Sequence, residues 1–209
     1  MITNQKIVII DYGVGNIQSV SNAIKFLGYN NLVISSDRRH IAQADVFILP
    51  GVGAFDEAIN NLRIRNLEDI LSEEVLVKKK PILGICVGMQ MLATFSEENG
   101  KSLGLNWING HVKKINFSDK FPIPHVGWND IFIEKQTPLF DLNSNYSHFY
   151  FDHSYHFDCD TKYISSYCNY GKKITASVQS DNIFGVQFHP EKSQNNGLKL
   201  FRSFFNSIK

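Results

Sequence analysis

Cysteine is scarce in this sequence: three in 209 residues, Cys86, Cys159 and Cys168, with no CxxC pair among them. An odd, widely spaced set excludes a disulfide framework and the common cysteine-ligated metal patterns, so free thiols are expected, Cys159 and Cys168 being ordinary ones. A dominant charge sign is missing as well. The 21 basic and 20 acidic residues leave a formal +1, no basis for a nucleic-acid groove or a polybasic membrane anchor. The single basic run, Lys78-Lys79-Lys80, reads as a solvated helix end, where cations suit the carbonyl-rich terminus. Long apolar runs are absent: Ile7-Val8-Ile9-Ile10 is cut off by Asp11, too soon for a secretion signal. No repeat, low-complexity tract or long linker interrupts the sequence. With 43% apolar residues a core is within reach. The expectation is one soluble, cytoplasmic domain over residues 1–209, without metal or cofactor and with neither nucleic acid nor membrane as partner.

What is present has two textures. In the first half, short apolar runs at residues 7–10, 32–34, 46–49 and 82–85 alternate with segments of helical period. Residues 16–27 carry Ile17, Val20, Ile24 and Leu27 at spacings of three and four, closed by Gly28. The same period runs through Ala58, Leu62, Leu67, Ile70, Leu71 and Val75, and again through Met89, Leu92 and Phe95. Strand and helix in alternation predict a parallel sheet covered on both faces. From about Trp107 onward, β-branched and aromatic runs predict antiparallel strands at 111–117, 128–133, 147–151, 163–167 and 174–178. A last helix has Leu198, Leu200, Phe201, Phe204 and Phe205 as its apolar face. The whole predicts an α/β fold of three layers, an open mixed sheet with a parallel core and an antiparallel extension.

Chemistry gathers at three places. Gly84-Ile85-Cys86-Val87-Gly88 follows the run Pro81-Ile82-Leu83 and reads as a nucleophile elbow with sulfur in place of oxygen. A lone cysteine in an apolar segment is ordinarily a small core residue. The flanking glycines, the strand before and the helix after favour a thiol at a helix N-terminus, where a thiolate is stabilised. Downstream, His189 and Glu191 follow the apolar run 183–187; a strand end there would bring an imidazole, oriented by a carboxylate, to the sheet edge that carries Cys86. The third place is Pro50-Gly51-Val52-Gly53 after the strand at 46–49. Gly51, Val52 and Gly53 could aim backbone N–H groups at an oxyanion together with the amide of Val87, although a plain turn would need the same residue types. Nucleophile, base with orienter and oxyanion donors are the parts of an acyl-transfer site.

These residues resemble the class I, triad-type glutamine amidotransferases over essentially the whole chain. The elbow with Met89-Gln90, and Gly185-Val186-Gln187-Phe188-His189-Pro190-Glu191, are superfamily features; Pro124-His125-Val126-Gly127-Trp128-Asn129 and the Pro-Gly-Val-Gly form of the oxyanion loop point to the histidine-pathway branch. The resemblance implies that Cys86 attacks the side-chain amide of L-glutamine, that His189 moves the protons and that Glu191 holds His189. It places Gln90 and Glu98 at the α-amino end of glutamine, with Glu97 adjacent to the latter, and the backbone of His153, Ser154 and Tyr155 at its carboxylate. In that branch the partner is a (β/α)₈-barrel cyclase that takes up ammonia and forms imidazole glycerol phosphate and an aminoimidazole carboxamide ribotide, with Asn16, His125, Trp128 and Asn129 at or near the interface. Turn and core roles are the other reading of those four residues. The chain departs from the branch at Asp152, where a small apolar residue is usual. That leaves room for a paralogue feeding a sugar amidotransferase for surface glycans. A non-catalytic docking subunit and a free-standing cysteine hydrolase are the alternatives of other classes.

Overall fold

The computed structural model describes residues 5–116, 121–140 and 148–208. In chain order the elements are β1 (Ile7–Ile10), α1 (Ile17–Phe26), β2 (Leu32–Ser35), α2 (Arg38–Ala42), β3 (Val46–Gly51), α3 (Phe55–Ile64), α4 (Glu68–Ser72), β4 (Ile82–Cys86), α5 (Val87–Gln90), β5 (Phe95–Ser96), β6 (Ser102–Leu103) and β7 (Gly110–Lys114). They continue as β8 (His125–Asn129), β9 (Ile131–Ile133), β10 (Phe149–His153), β11 (Tyr155–Cys159), β12 (Ile164–Tyr170), β13 (Lys172–Ser180), β14 (Ile183–Val186) and α6 (Gln194–Ser207). The main sheet has eight strands in the order β2-β1-β3-β4-β14-β13-β12-β9. Pairing is parallel from β2 to β14 and antiparallel beyond it, as the two sequence textures predict. Every residue of β1, β3, β4 and β14 is buried, so both faces of the parallel part are covered. A four-stranded sheet, β11-β7-β5-β6, and a two-stranded ribbon, β10-β8, complete the structure.

Helix α1 buries Val20 and Ile24 and ends at Leu27, with Gly28 at φ 93°, a left-handed turn that costs glycine nothing. Helix α6 buries Leu200, Phe201, Phe204 and Phe205; Tyr29 packs its ring 4.6 Å from that of Phe205.

Three predicted elements differ. The helical period through residues 58–75 is divided: Asn66 adopts φ 53° between α3 and α4, and Glu73–Val77 forms a π-helical turn. There the buried Glu74 carboxylate draws in Lys78 at 2.7 Å and Lys80 at 2.5 Å, so the lysine run ends a helix as ion-pair partners. The helix after Gly88 stops at Gln90, and Phe95 lies in β5. Its carbonyls are taken by another segment: the amides of Leu105, Trp107 and Asn106 donate to Met91, Leu92 and Ala93 at 2.8, 3.0 and 2.9 Å. The run 128–133 is two strands of different sheets, β8 pairing with β10 and β9 with β12. Phe117 and Ser147, at the ends of two predicted strands, lie outside the described residues.

Candidate active site

Strand order decides where the chemistry meets. β4 lies between β3 and β14, with Gly51 opposite Cys86 and Val186 opposite Ile85. Residues just beyond the C-terminal ends of these parallel strands therefore share one edge, where open α/β sheets place ligands. Cys86 sits at φ 54°, ψ −111° between β4 and α5 and is 3% exposed, the strained left-handed geometry of an elbow. The glycines serve packing more than substrate access. A Cβ on Gly88 would lie 1.8 Å from the Leu49 carbonyl oxygen, and one on Gly84 would lie 2.6 Å from that of Gly88.

His189 follows β14. Its amide donates to the Tyr150 carbonyl at 2.8 Å, and its own carbonyl accepts from Ser193 Oγ at 2.6 Å. The ring's Nδ1 lies 2.8 Å from Glu191 Oε1, both side chains being buried. Burial acts to lower the imidazole's proton affinity, but the hydrogen bonds to Cys86 and Glu191 outweigh it and push the pKa up to about 10. With Nδ1 held by the carboxylate, the other ring nitrogen is left for the thiol. The sulfur also has Gln187 Nε2 at 3.7 Å and the Asp152 carbonyl at 4.0 Å.

Over the thiol opens a cavity of about 300 Å³. Of the predicted oxyanion residues, Val52, Gly53 and Val87 line it. Gly51 does not; it is buried at the end of β3, where a Cβ would meet the Gly88 amide nitrogen at 2.6 Å. Its neighbour Pro50 accepts a 2.5 Å hydrogen bond from the Tyr12 hydroxyl, a clamp on the loop that sequence reading missed. Glu98 lines the cavity and Glu97 is outside it; Glu98 Oε2 accepts from the Phe55 amide at 2.9 Å, and burial raises its pKa. Gln90, His153, Ser154 and Tyr155 also line it. The Gln90 amide nitrogen donates to the Tyr155 carbonyl and to Gln187 Oε1, both at 3.0 Å. Lys192 is a lining residue that the sequence argument passed over, although it directly follows Glu191; its ammonium stands 5.1 Å from the Tyr150 ring centroid.

The four residues expected near a partner divide. Trp128 is 46% exposed on the outer side of the β8–β10 ribbon, edge-on to Tyr150, and Val126 beside it is 54% exposed. Asn129 is half-buried at the ribbon's end, and Asn16 caps α1 without lining the cavity. His125 is not a surface contact: its ring is buried between Phe151 and Tyr170, with centroids 4.7 and 4.0 Å away, because β8 turns alternate side chains inward. Among the described residues no group of three or more His, Cys, Asp or Glu side chains could hold a metal ion, and no helix is long and apolar enough to cross a membrane.

A thiol on a strained strand-to-helix turn, an imidazole fixed by a carboxylate and a cavity lined by residues of the 50–53 loop and by Val87 can perform acyl transfer. The chain belongs to the class-I glutamine amidotransferase family, whose profile matches residues 8–208. Within that family it is 48% identical over 204 residues to the imidazole glycerol phosphate synthase subunit HisH 2 of Vibrio vulnificus, covering 98% of this chain and 95% of that one. It is 46% identical over 198 residues to the subunit HisH 1 of Campylobacter jejuni, covering 95% and 98%. The fold is shared with the structure of PurLQS from Thermotoga maritima, TM-score 0.73 at 19% identity, over 99% of this chain and 100% of that one.

Proposed function

We propose that this chain is the glutaminase subunit of a cytoplasmic imidazole glycerol phosphate synthase, acting in histidine biosynthesis. The observation that carries the reading is that Cys86 and His189 line one cavity while Glu191 holds His189 Nδ1 from behind, in a chain 48% identical to a HisH subunit. The Cys86 thiol gives its proton to His189 as the sulfur attacks the side-chain carbonyl carbon of L-glutamine. Charge then develops on the amide oxygen, and the Val87 amide and the Val52-Gly53 segment stabilise it. As the C–N bond breaks, His189 protonates the departing nitrogen and ammonia leaves. Water attacks the thioester, His189 takes its proton, and breaking the C–S bond releases glutamate. Glu98 and Gln90 hold the cationic α-amino end, and the backbone of His153, Ser154 and Tyr155 holds the carboxylate. Residues 1–209 are read as one domain, because a single sheet carries both Cys86 and His189.

Ammonia released into water would be protonated and lost, so a second subunit must cover the cavity. Val52 at its rim and Val126 and Trp128 on the β8–β10 ribbon are exposed apolar residues that suit a partner interface, and the (β/α)₈-barrel cyclase is the partner assigned. The test is glutamate release by the chain alone and mixed with a histidine-pathway cyclase, with and without its ribulosyl substrate. A large rise with cyclase and substrate is expected. Low activity that the mixture leaves unchanged overturns the pathway and favours the sugar-amidating partner. The specific observation for that second reading is Asp152, an exposed carboxylate at the cavity's rim where the histidine-pathway branch usually carries a small apolar side chain.

A further inference from the structure

The imidazoles of the two hydrogen-bonded histidines beneath the ribbon have no part in the reaction just described, yet they join a continuous polar chain that ends on the nucleophile. Its polarity can be worked out from two backbone carbonyls, which can only accept. At one end, Asn129 Nδ2 donates to the Asn169 carbonyl at 3.1 Å and lies 3.2 Å from His125 Nε2. At the other, the Tyr155 carbonyl accepts from His153 Nδ1 at 2.8 Å and from Gln90 Nε2 at 3.0 Å. His153 Nδ1 therefore bears hydrogen, and in the neutral ring Nε2 accepts; its partner at 3.0 Å, His125 Nδ1, must donate. That leaves His125 Nε2 as the acceptor Asn129 requires, so the assignments made from the two ends agree.

The same logic continues toward the sulfur. Gln90 Nε2 spends its second hydrogen on Gln187 Oε1 at 3.0 Å. With its oxygen committed there, the buried Gln187 amide turns Nε2 toward Cys86 Sγ, 3.7 Å away. An N–H aimed at sulfur favours the thiolate over the thiol.

We propose that Gln187 is a catalytic hydrogen-bond donor to the Cys86 thiolate, and that His125 and His153, as an uncharged pair, are positioning residues that fix its amide orientation through the Tyr155 carbonyl and Gln90. The proposal rests on Cys86 being the nucleophile of the glutaminase, and it adds a fourth side chain to the three that the motifs supply. Protonating His153 would set N–H against N–H between the rings, and protonating His125 would set its Nε2–H against the Asn129 amide. Burial holds both neutral, lowering His125 to about 4 and His153 to about 3.

The experiment follows the rate of Cys86 alkylation by iodoacetamide against pH in the full-length chain, read from the Cys86 peptide by mass spectrometry so that the other two thiols do not count. Gln187→Leu is expected to slow alkylation at pH 7 by about ten- to a hundredfold, the scale of one hydrogen bond to a charged group, and to move the profile toward higher pH. Gln187→Glu, close in shape but acceptor-only when ionised, should slow it further, and it carries the test if the leucine variant fails to fold. His125→Phe should move the profile in the same direction by less, and His125→Gln, which restores a donor, should return part of the rate. Profiles of folded Gln187 variants that superimpose on the parent overturn the donor role; an unmoved His125→Phe profile overturns the relay. Neither glutamine nor partner enters the assay, so its failure is separate from a failure of the glutaminase reading, which would appear as absent glutamate release in the complex.

Discussion

The two walls of the cavity are held by different means. On one side, Cys86, His189 and the 50–53 loop follow three adjacent strands inside an eight-stranded sheet, and main-chain ladders together with glycine contacts set their places. On the other, His153 ends a ribbon of two strands, a unit that is marginal without further packing, and Ser154 links it to Tyr155, which begins β11 of the four-stranded sheet. There main-chain pairing with β8 and β7 is joined by side-chain contacts: stacked rings, the His125–His153 contact and the amides of Gln90 and Asn129. The difference teaches a division of labour. Cys86, His189 and the 50–53 loop sit on the rigid wall, while the groups proposed to hold the glutamine carboxylate sit on the other.

Substitutions that break one wall and spare the other sharpen this comparison. The largest effect is expected from Cys86→Ala: in the complex, glutamine-dependent product formation should be abolished and formation from added ammonia retained, measured by product assay with each nitrogen source. Loss of both in a folded complex would contradict the separation of roles. Gly88→Ala comes next. Its methyl would meet the Leu49 carbonyl within van der Waals distance, so the rigid wall should lose more than about 3 kcal/mol, measured by urea unfolding. On the ribbon, Trp128→Ala should leave unfolding nearly unchanged and weaken the partner complex by about 2 kcal/mol, close to thirtyfold in Kd, measured by titration calorimetry.

The smallest effect is on pH dependence, where the walls should differ in sign. Burial lowers His125 to about 4, His153 to about 3, and His156, on β11, to about 4, from an ordinary 6.5. Between those values the unfolded chain binds protons that the folded one does not. Stability should therefore be complete above about pH 6.5 and fall on acidification, by up to about 1.4 kcal/mol per pH unit for each histidine. His189, raised to about 10, contributes in the opposite sense: its stabilisation is full below about pH 6.5 and lost as pH rises toward 10. Denaturant unfolding from pH 5 to pH 9 checks both limbs. His125→Phe should flatten the acid limb alone.

Legibility followed the range of the interactions. The elbow, the His189–Glu191 pair and the 50–53 loop could be read because each is local: glycines mark a strained turn, and an apolar run marks the strand that delivers a residue to the sheet edge. The helix after Gly88 was overextended because its carbonyls are captured by residues 105–107, which no period in residues 87–95 reveals. For His125 the sequence leaves an interface and a core position open, and the core position is found because its side depends on the register of β8 with β10. Gln187 passed as one residue of a buried run; only its neighbours show which way its amide turns.

The sequence by itself determined the chemical groups and the local backbone that presents them: a thiol on a strand-to-helix turn, an imidazole two residues from a carboxylate, and the alternation that makes a parallel core. Tertiary structure alone decided that residues 50, 86 and 189 share an edge, which glycines are needed for packing, and which way each buried amide and imidazole donates. The reason is physical: covalent neighbours fix torsions and residue type, whereas hydrogen-bond polarity and burial depend on atoms brought together by strand pairing from opposite ends of the chain.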